Sequence, residues 1–305
     1  MKEKLLLLDT ATIYYRAFYS LPETLTNHES IPINAIRGTL DRISTLVGQT
    51  NPDRIIAAWD TEWRPQWRVD LLPSYKAHRV EESLGTEQEK GSESAVPDSL
   101  AIQIPIIEEV LTSLGIPVIG HEDFEADDVI GTYCEMHSGE IEVVTGDRDL
   151  FQLIDDAKKV SLRYTAKGEV KHLFESDIVN QYGIKPSQYV DYSIMRGDPS
   201  DGLPGVLGIG EKTAQFLIQE FENIDNVIAG AQATDLRIKP KVRLNIMNSL
   251  DYIERAKQVV PVVRNINLPT VSDLNFERAP DSILHSIGES LNIRNSIKKM
   301  LASLA

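Results

Sequence analysis

Three short apolar runs in this chain each lead to an acidic residue. Leu5 to Leu8 runs into Asp9, Ile55 to Trp59 into Asp60, and Ile141 to Thr145, through Gly146, into Asp147. Runs of this length, bounded by Gly, Pro or charged residues, read as strands buried on both faces of a parallel sheet. Ile116–Ile119 reads as a fourth. Between them Ala35–Thr50, Leu100–Leu114 and Ala126–His137 place apolar residues three and four apart, the spacing of helices that lie on such a sheet. The expected fold is α/β, with a mostly parallel central sheet flanked by helices. Strand carboxyl ends share one edge of a parallel sheet, where open α/β folds place their sites, so the three acids should converge.

Further along, Lys159–Thr165 and Glu169–Leu173, separated by Ala-Lys-Gly, read as a hairpin. The Glu-, Ser- and Gly-rich stretch Val80–Val96 reads as mobile and solvated. Past Gly183 short helical segments joined by Pro and Gly take over, with no strong strand expected before Val259–Val263. This divides the chain into a first domain over 1–182 and a second, mainly helical one over 183–305.

Composition narrows the chemistry. The one cysteine, Cys134, permits neither an internal disulfide nor a thiolate zinc cluster, and points to a reducing cytoplasm. Leu5–Leu8 is too short for a signal-peptide core or a membrane span, so no membrane partner is expected. The formal charge of −15 argues against a polyanionic partner unless the acids are concentrated away from a basic face or neutralised by cations.

The acids are concentrated. Besides Asp9, Asp60 and Asp147 there are Glu125, Asp127 and Asp128 opening a helix, Asp149 just past a strand, and Asp198 and Asp201 in Gly-Asp-Pro-Ser-Asp-Gly. Each group alone could be a helix cap or a turn. Nine carboxylates meeting at one edge, however, cannot all stay ionised in a dry cleft without cations between them. With six histidines, none at close ligand spacing, such a site is all-oxygen, suited to Mg²⁺ or Mn²⁺ and so to phosphate chemistry.

The same residues carry a resemblance. Asp9 with Arg16 and Ala17, Asp60 followed by Trp67-Arg68 and Tyr75-Lys76-Ala-His-Arg79, Glu125-Ala-Asp-Asp-Val-Ile-Gly-Thr, Thr-Gly-Asp147-Arg-Asp149, and the run from Gly197 to Ala214 follow one another in the order and spacing of the bacterial and phage 5′-nucleases. That family includes the 5′→3′ exonuclease domain of DNA polymerase I and the flap endonucleases. The resemblance covers nearly all of residues 4–260. It implies a PIN-like nuclease domain with a helical arch over about 70–98 and a helix-hairpin-helix domain behind it. It also implies cleavage of DNA at 5′ flaps, nicks and branched or recessed duplexes, with RNA primers as further substrates, by a monomer. Thr10 stands where the family commonly has glycine, and Gly202 where asparagine is frequent.

By carry-over, Asp60, Glu125, Asp127 and Asp128 surround a first divalent ion, with Asp9 assisting through water, and Asp147, Asp149, Asp198 and Asp201 surround a second. Lys76 and Arg79, on one helical face, act on the scissile phosphate, with Arg16 adding a contact. Tyr75 either stacks on a terminal base or simply packs. The hairpin Gly205, Gly208 and Gly210 offers amides to duplex phosphates, with a place for a monovalent cation such as K⁺. Gly208 and Gly210 are expected at positive φ, where valine is poorly tolerated. Lys212, Lys239, Lys241 and Arg243 extend a basic track. The alternatives are a PIN-type ribonuclease, which needs neither arch nor hairpin, and a DNA-binding clamp without catalysis, in which site acids would be lost.

Overall fold

The computed structural model describes residues 3–79, 96–166 and 168–305. The acidic stretch 80–95, expected to be mobile, and with it most of the arch, lie outside the described residues. A six-stranded sheet runs in the order β3-β2-β1-β4-β5-β6. Its strands are β1 Lys4–Asp9, β2 Arg54–Ala58, β3 Val118–Ile119, β4 Glu140–Thr145, β5 Val160–Ala166 and β6 Glu169–Leu173. All neighbours are parallel except the β5–β6 hairpin. Leu5 to Leu8 are fully buried on both faces, which is why the run shows no alternation.

One face is covered by α1 (Thr10–Ser20), α2 (Asn34–Thr50) and α5 (Gln103–Ser113), the last preceded by the short α3 (Gln66–Leu71) and α4 (Asp98–Ala101). The other carries α6 (Ala126–Met136). The chain leaves β1 towards β2 and β3, then returns to place β4 on the opposite side of β1. Asp9 and Asp147 therefore flank the point where strand order reverses, the crevice in which open parallel sheets bind ligands.

Beyond α7 (Glu175–Tyr182), helices α8 (Tyr189–Arg196), α9 (Glu211–Phe221), α10 (Ile224–Gln232), α11 (Pro240–Asn248) and α12 (Leu250–Val259) share the core of the α6 face. The strand expected over Val259–Val263 is absent. Val259 ends α12, the Val260 amide closes that helix on Ala256 O at 2.9 Å, Pro261 has no amide hydrogen, and the last two amides are taken by side chains: Val262 N–H donates to Gln152 Oε1 at 2.9 Å and Val263 N–H to Asp128 Oδ1 at 2.8 Å. The last helices, α13 (Asp281–Ser290) and α14 (Arg294–Ser303), cross back to the α2 face, where Leu284, Ile297 and Met300 join the cluster of Leu6 and Leu8. Expected as an extension of the second domain, they cover the first. Among the described residues no helix is long and apolar enough to cross a membrane.

One buried charge cluster makes the fold pH-dependent. Glu142 lies in β4 at 1% exposure, bonded to both Lys4 and Arg163. Burial alone would push its carboxyl up, but the two cations hold it below its usual value. A depressed folded-state pKa contributes stability above the unfolded carboxylate value, about 4.3, and loses it as pH falls through the folded value. Glu142→Gln should lower unfolding free energy at pH 7 by about 1.5–3 kcal/mol, with the difference from wild type narrowing at a second, acidic pH below the unfolded carboxylate value. Denaturant titrations at the two pH values check this, and a pH-independent difference would show that the effect is packing.

Candidate active site

Strand ends and one helix start build the cleft. Asp9 ends β1 and caps α1: its Oδ2 accepts from Thr12 Oγ1 at 2.6 Å and from Thr145 Oγ1 at 2.7 Å, stitching β1 to β4. Asp60 follows β2, and its Oδ1 accepts the Ala126 amide at 2.8 Å, which anchors the start of α6 beside the sheet edge. Asp147 follows β4 and accepts the Asp149 amide at 2.8 Å. Asp9, Asp60, Glu125, Asp127 and Asp147 line a single open cleft of about 1950 Å³. Behind it a recess of about 20 Å³, room for roughly one water, is lined by Asp149 and Asp201 together with Glu125 and Asp127.

The electrostatics show how crowded this edge is. Burial, then Asp147, Asp9 and Glu125, raises Asp127 well above the ordinary carboxylate range. Asp147 is pushed up to about 6 by burial and by Asp201. Asp149 is likewise raised well above its usual value, by burial and by Asp147, Asp201 and Asp198. Asp60 is raised by burial, against the Ala126 amide and Lys76. Each shift favours the protonated form, because no sufficient positive charge stands among these groups. Even so, no three acidic, histidine or cysteine side chains among the described residues form a ready coordination shell as they stand.

Of the nine acids, Asp128 and Asp198 are held most closely by arginine. Asp128 is fully buried, held by Arg68 through two bonds of 2.7 Å while it also accepts the amides of Glu125 and Val263. In this arrangement it stands behind the cleft and is not among the residues that line it, where a first ion was expected to meet it. Asp198 accepts from Arg196 at 2.9 Å, lies 3.6 Å from Arg148, and caps the Pro199–Asp201 turn through Ser200. In this arrangement it shapes the second acidic turn and is paired with arginine. Glu125 is shared among Lys76 Nζ at 2.9 Å, the Tyr75 hydroxyl at 2.9 Å and Arg68 at 3.4 Å.

The basic residues also differ from expectation. Lys76 has φ +48, so it sits in a turn and shares no helical face with Arg79. It reaches Glu125, whereas Arg79 donates to Ser200 O at 2.8 Å and lies 3.3 Å from Asp201 Oδ1. Both line the cleft. Tyr75 is buried with its hydroxyl on Glu125, so in this arrangement its ring packs and is not presented to solvent. Gly202 explains its departure from asparagine: at φ +68, a Cβ there would meet Ser74 O at 1.9 Å. The Lys76 amide donates to Asp201 O at 3.0 Å and ties the Lys76 turn to the second acidic turn.

At the hairpin, Gly208 has φ +72 as expected, and Asn245 Nδ2 braces the turn on Leu207 O at 2.7 Å. Gly210 does not: at φ −94 it caps α9 with open space around it, so a side chain there meets nothing. Gly205 has φ +70 against Arg196 O. Lys212, Lys239 and Lys241 are exposed, and Arg243 is half-buried, donating to the carbonyls of Asp235 and Ile238.

Comparison with known proteins agrees with this architecture. Residues 4–183 match the model of the 5′-3′ exonuclease N-terminal resolvase-like domain, and residues 184–282 that of the 5′-3′ exonuclease C-terminal SAM fold. The chain belongs to the 5′-3′ exonuclease family. A 5′-3′ exonuclease of Streptomyces coelicolor is 41% identical over 303 residues, covering 98% of this chain and 99% of that protein. One of Mycobacterium tuberculosis is 38% identical, covering 90% and 88%. Among solved structures, a bacteriophage T5 flap endonuclease with DNA and metal ions superposes with a TM-score of 0.68 at 17% identity, over 99% of both chains, and shares the fold.

In this member of the 5′-3′ exonuclease family, the arginines that hold acids in place were the residues hardest to find from sequence. Arg68 is only 3% exposed and sits over the Trp67 ring at 4.6 Å. Its place in the Trp67-Arg68 pair was the one signal available, and nothing local distinguishes an arginine that faces substrate from one that neutralises a buried aspartate. Arg148 and Arg196 are the same case beside Asp198.

Proposed function

We propose that this chain is a divalent-metal-dependent nuclease that hydrolyses DNA near 5′ ends and branch points. The observation that carries the reading is the set of five carboxylates, delivered by three strand ends and one helix start, lining one cleft at the switch point of the sheet. Several are held above their ordinary pKa by burial and then by one another, and a hard cation offsets both. Asp60, Glu125, Asp127 and Asp147, assisted by Asp9, are the residues to hold Mg²⁺ or Mn²⁺ in the cleft, with Asp149 and Asp201 at the recess. When bound, two such ions supply positive charge at the entering and leaving oxygens of an in-line displacement.

The chain's own cations have separate tasks. Lys76, now on Glu125, and Arg79, now on Asp201, can move to a phosphate once ions take over those carboxylates, and they then stabilise charge spread over its non-bridging oxygens. Arg16 lines the same cleft. The hairpin of Gly205, Gly208 and Gly210 and the exposed Lys212, Lys239 and Lys241 grip duplex phosphates without reading bases. The turn's carbonyls of Val206 and Leu207 are already hydrogen-bonded, leaving those of Gly205, Gly208 and Ile209 for a monovalent cation such as K⁺. The proposal includes action as a monomer in the cytoplasm, on RNA primers as well as DNA, within a 1–182 catalytic domain and a 183–305 helix-hairpin-helix domain.

The test is a 5′-labelled flap substrate incubated with Mg²⁺, with Mn²⁺ and with excess chelator, and sized by gel. Cleavage near the junction with either ion, and none in chelator, is expected. Full activity in chelator overturns the metal reading, and cleavage of single-stranded RNA alone would make the chain a ribonuclease instead.

A further inference from the structure

Two arginines in the cleft wall meet with no acid between them. Arg16 on α1 donates from Nη2 to Thr165 O at 2.6 Å, and Arg42 on α2 donates from Nη2 to Thr165 Oγ1 at 3.0 Å. Both line the cleft that holds Asp9 and Asp147. Arg16 Nη2 also lies close to Gly146, where an added Cβ would meet it at 2.9 Å, so the pair adjoins the loop that carries Asp147. Among the described residues neither guanidinium has a carboxylate within ion-pair distance. The nearby Asp41 is drawn instead towards Arg37 and Lys299, each at 3.9 Å. The Arg42 Nε is buried without a hydrogen-bond partner. Burial and the Arg16 charge together lower the Arg42 pKa below its ordinary value, a cost that a bound anion would remove.

A chain of net charge −15 has acids enough to neutralise such a pair, yet leaves it open in the wall of its own carboxylate cleft. Each guanidinium has five N–H donors and the described contacts use one of them, so the remainder suit the oxygens of a phosphate. We propose that Arg16 and Arg42 together hold a non-scissile phosphate of the cut strand, on the α2 side of the carboxylates. Arg42 is a positioning residue in this scheme: it fixes the strand so that the neighbouring phosphate lies over the acids. The inference rests on the nuclease reading above.

The test compares wild type with Arg42→Met and Arg42→Lys, each verified for folding by thermal melting. Affinity for flap DNA is measured in chelator, and single-turnover cleavage is measured with Mg²⁺. Arg42→Met should bind about tenfold more weakly, with a salt dependence shallower by about one unit of slope, and Arg42→Lys should recover part of both. A series of substrates, each with one uncharged methylphosphonate in the cut strand, should contain one position that weakens wild type and leaves Arg42→Met unchanged. If the 5′-hydroxyl substrate, compared with its 5′-phosphoryl form, produces that effect, the phosphate held is the terminal one; if an internal methylphosphonate does, it is internal. Wild-type affinity, slope and methylphosphonate profile in Arg42→Met, even with a lowered melting temperature, would make the pair a structural strut on Thr165 and overturn the proposal. Cleavage in chelator would instead overturn the metal reading, and the affinity measurements would still decide the role of Arg42.

Discussion

Asp147→Asn and Asp60→Asn should each reduce single-turnover cleavage by roughly 10²–10³-fold or more, while flap affinity stays within a few-fold of wild type. Both carboxylates line the cleft, and each follows a strand of the parallel sheet by two residues. Asparagine keeps their size and, at Asp60, an oxygen to accept the Ala126 amide, so the start of α6 should hold. What disappears is charge at the place where a divalent ion is needed. The Asp147 substitution should also ease the repulsion that Asp127 and Asp149 feel from it, so stability should not fall. Rapid-quench cleavage alongside a binding isotherm separates the two quantities. Wild-type turnover in either variant would show that the cleft is not where the bond is cut.

Arg68→Ala is the second large effect, and it falls on stability. Arg68 bonds Asp128 twice, lies 3.4 Å from Glu125 and donates from Nε to Val259 O at 3.2 Å, all with almost no solvent access. Removing it leaves Asp128 as a buried, unpaired charge, and breaking such a pair costs about 3–5 kcal/mol. The effect should reach the site as well, because Asp128 caps the amide of Glu125 and so sets the entry to α6. Guanidinium unfolding curves read the loss directly, and cleavage at a temperature where the variant remains folded reads the displacement of Glu125. A loss below about 1 kcal/mol would mean that the Val263 and Glu125 amides alone satisfy Asp128.

Both predictions depend on where strands end, and that much was visible in the order of residues. Fully apolar runs without alternation require a sheet covered on both faces, and parallel strands bring their carboxyl ends together, so Asp9, Asp60 and Asp147 follow from Leu5–Leu8, Ile55–Trp59 and Ile141–Thr145 with no coordinates. The β5–β6 hairpin and the helices over the sheet are legible for the same reason: period and turn residues are local properties. The Val259–Val263 run misleads because apolar periodicity reports burial, while strand formation needs a partner backbone. Here side chains from Asp128 and Gln152 take the amides instead.

The sequence by itself determined the α/β class, the edge on which the acids gather, their all-oxygen chemistry and the family. Only the tertiary structure decided which acids face the cleft and which face an arginine. Asp127 and Asp128 are adjacent on one helix turn, yet the first lines the open cleft while the second is enclosed by Arg68, 60 residues away in the chain. It likewise decided that Lys76 sits in a turn and reaches Glu125 while Arg79 reaches Asp201, and that Arg16 and Arg42 meet at Thr165 from two helices and a strand. The reason is one of range. Hydrophobic period and strand polarity act over neighbouring residues and are written in short stretches of sequence, whereas the pairing of a buried charge is settled by whichever distant cation the packed chain brings within a few ångströms.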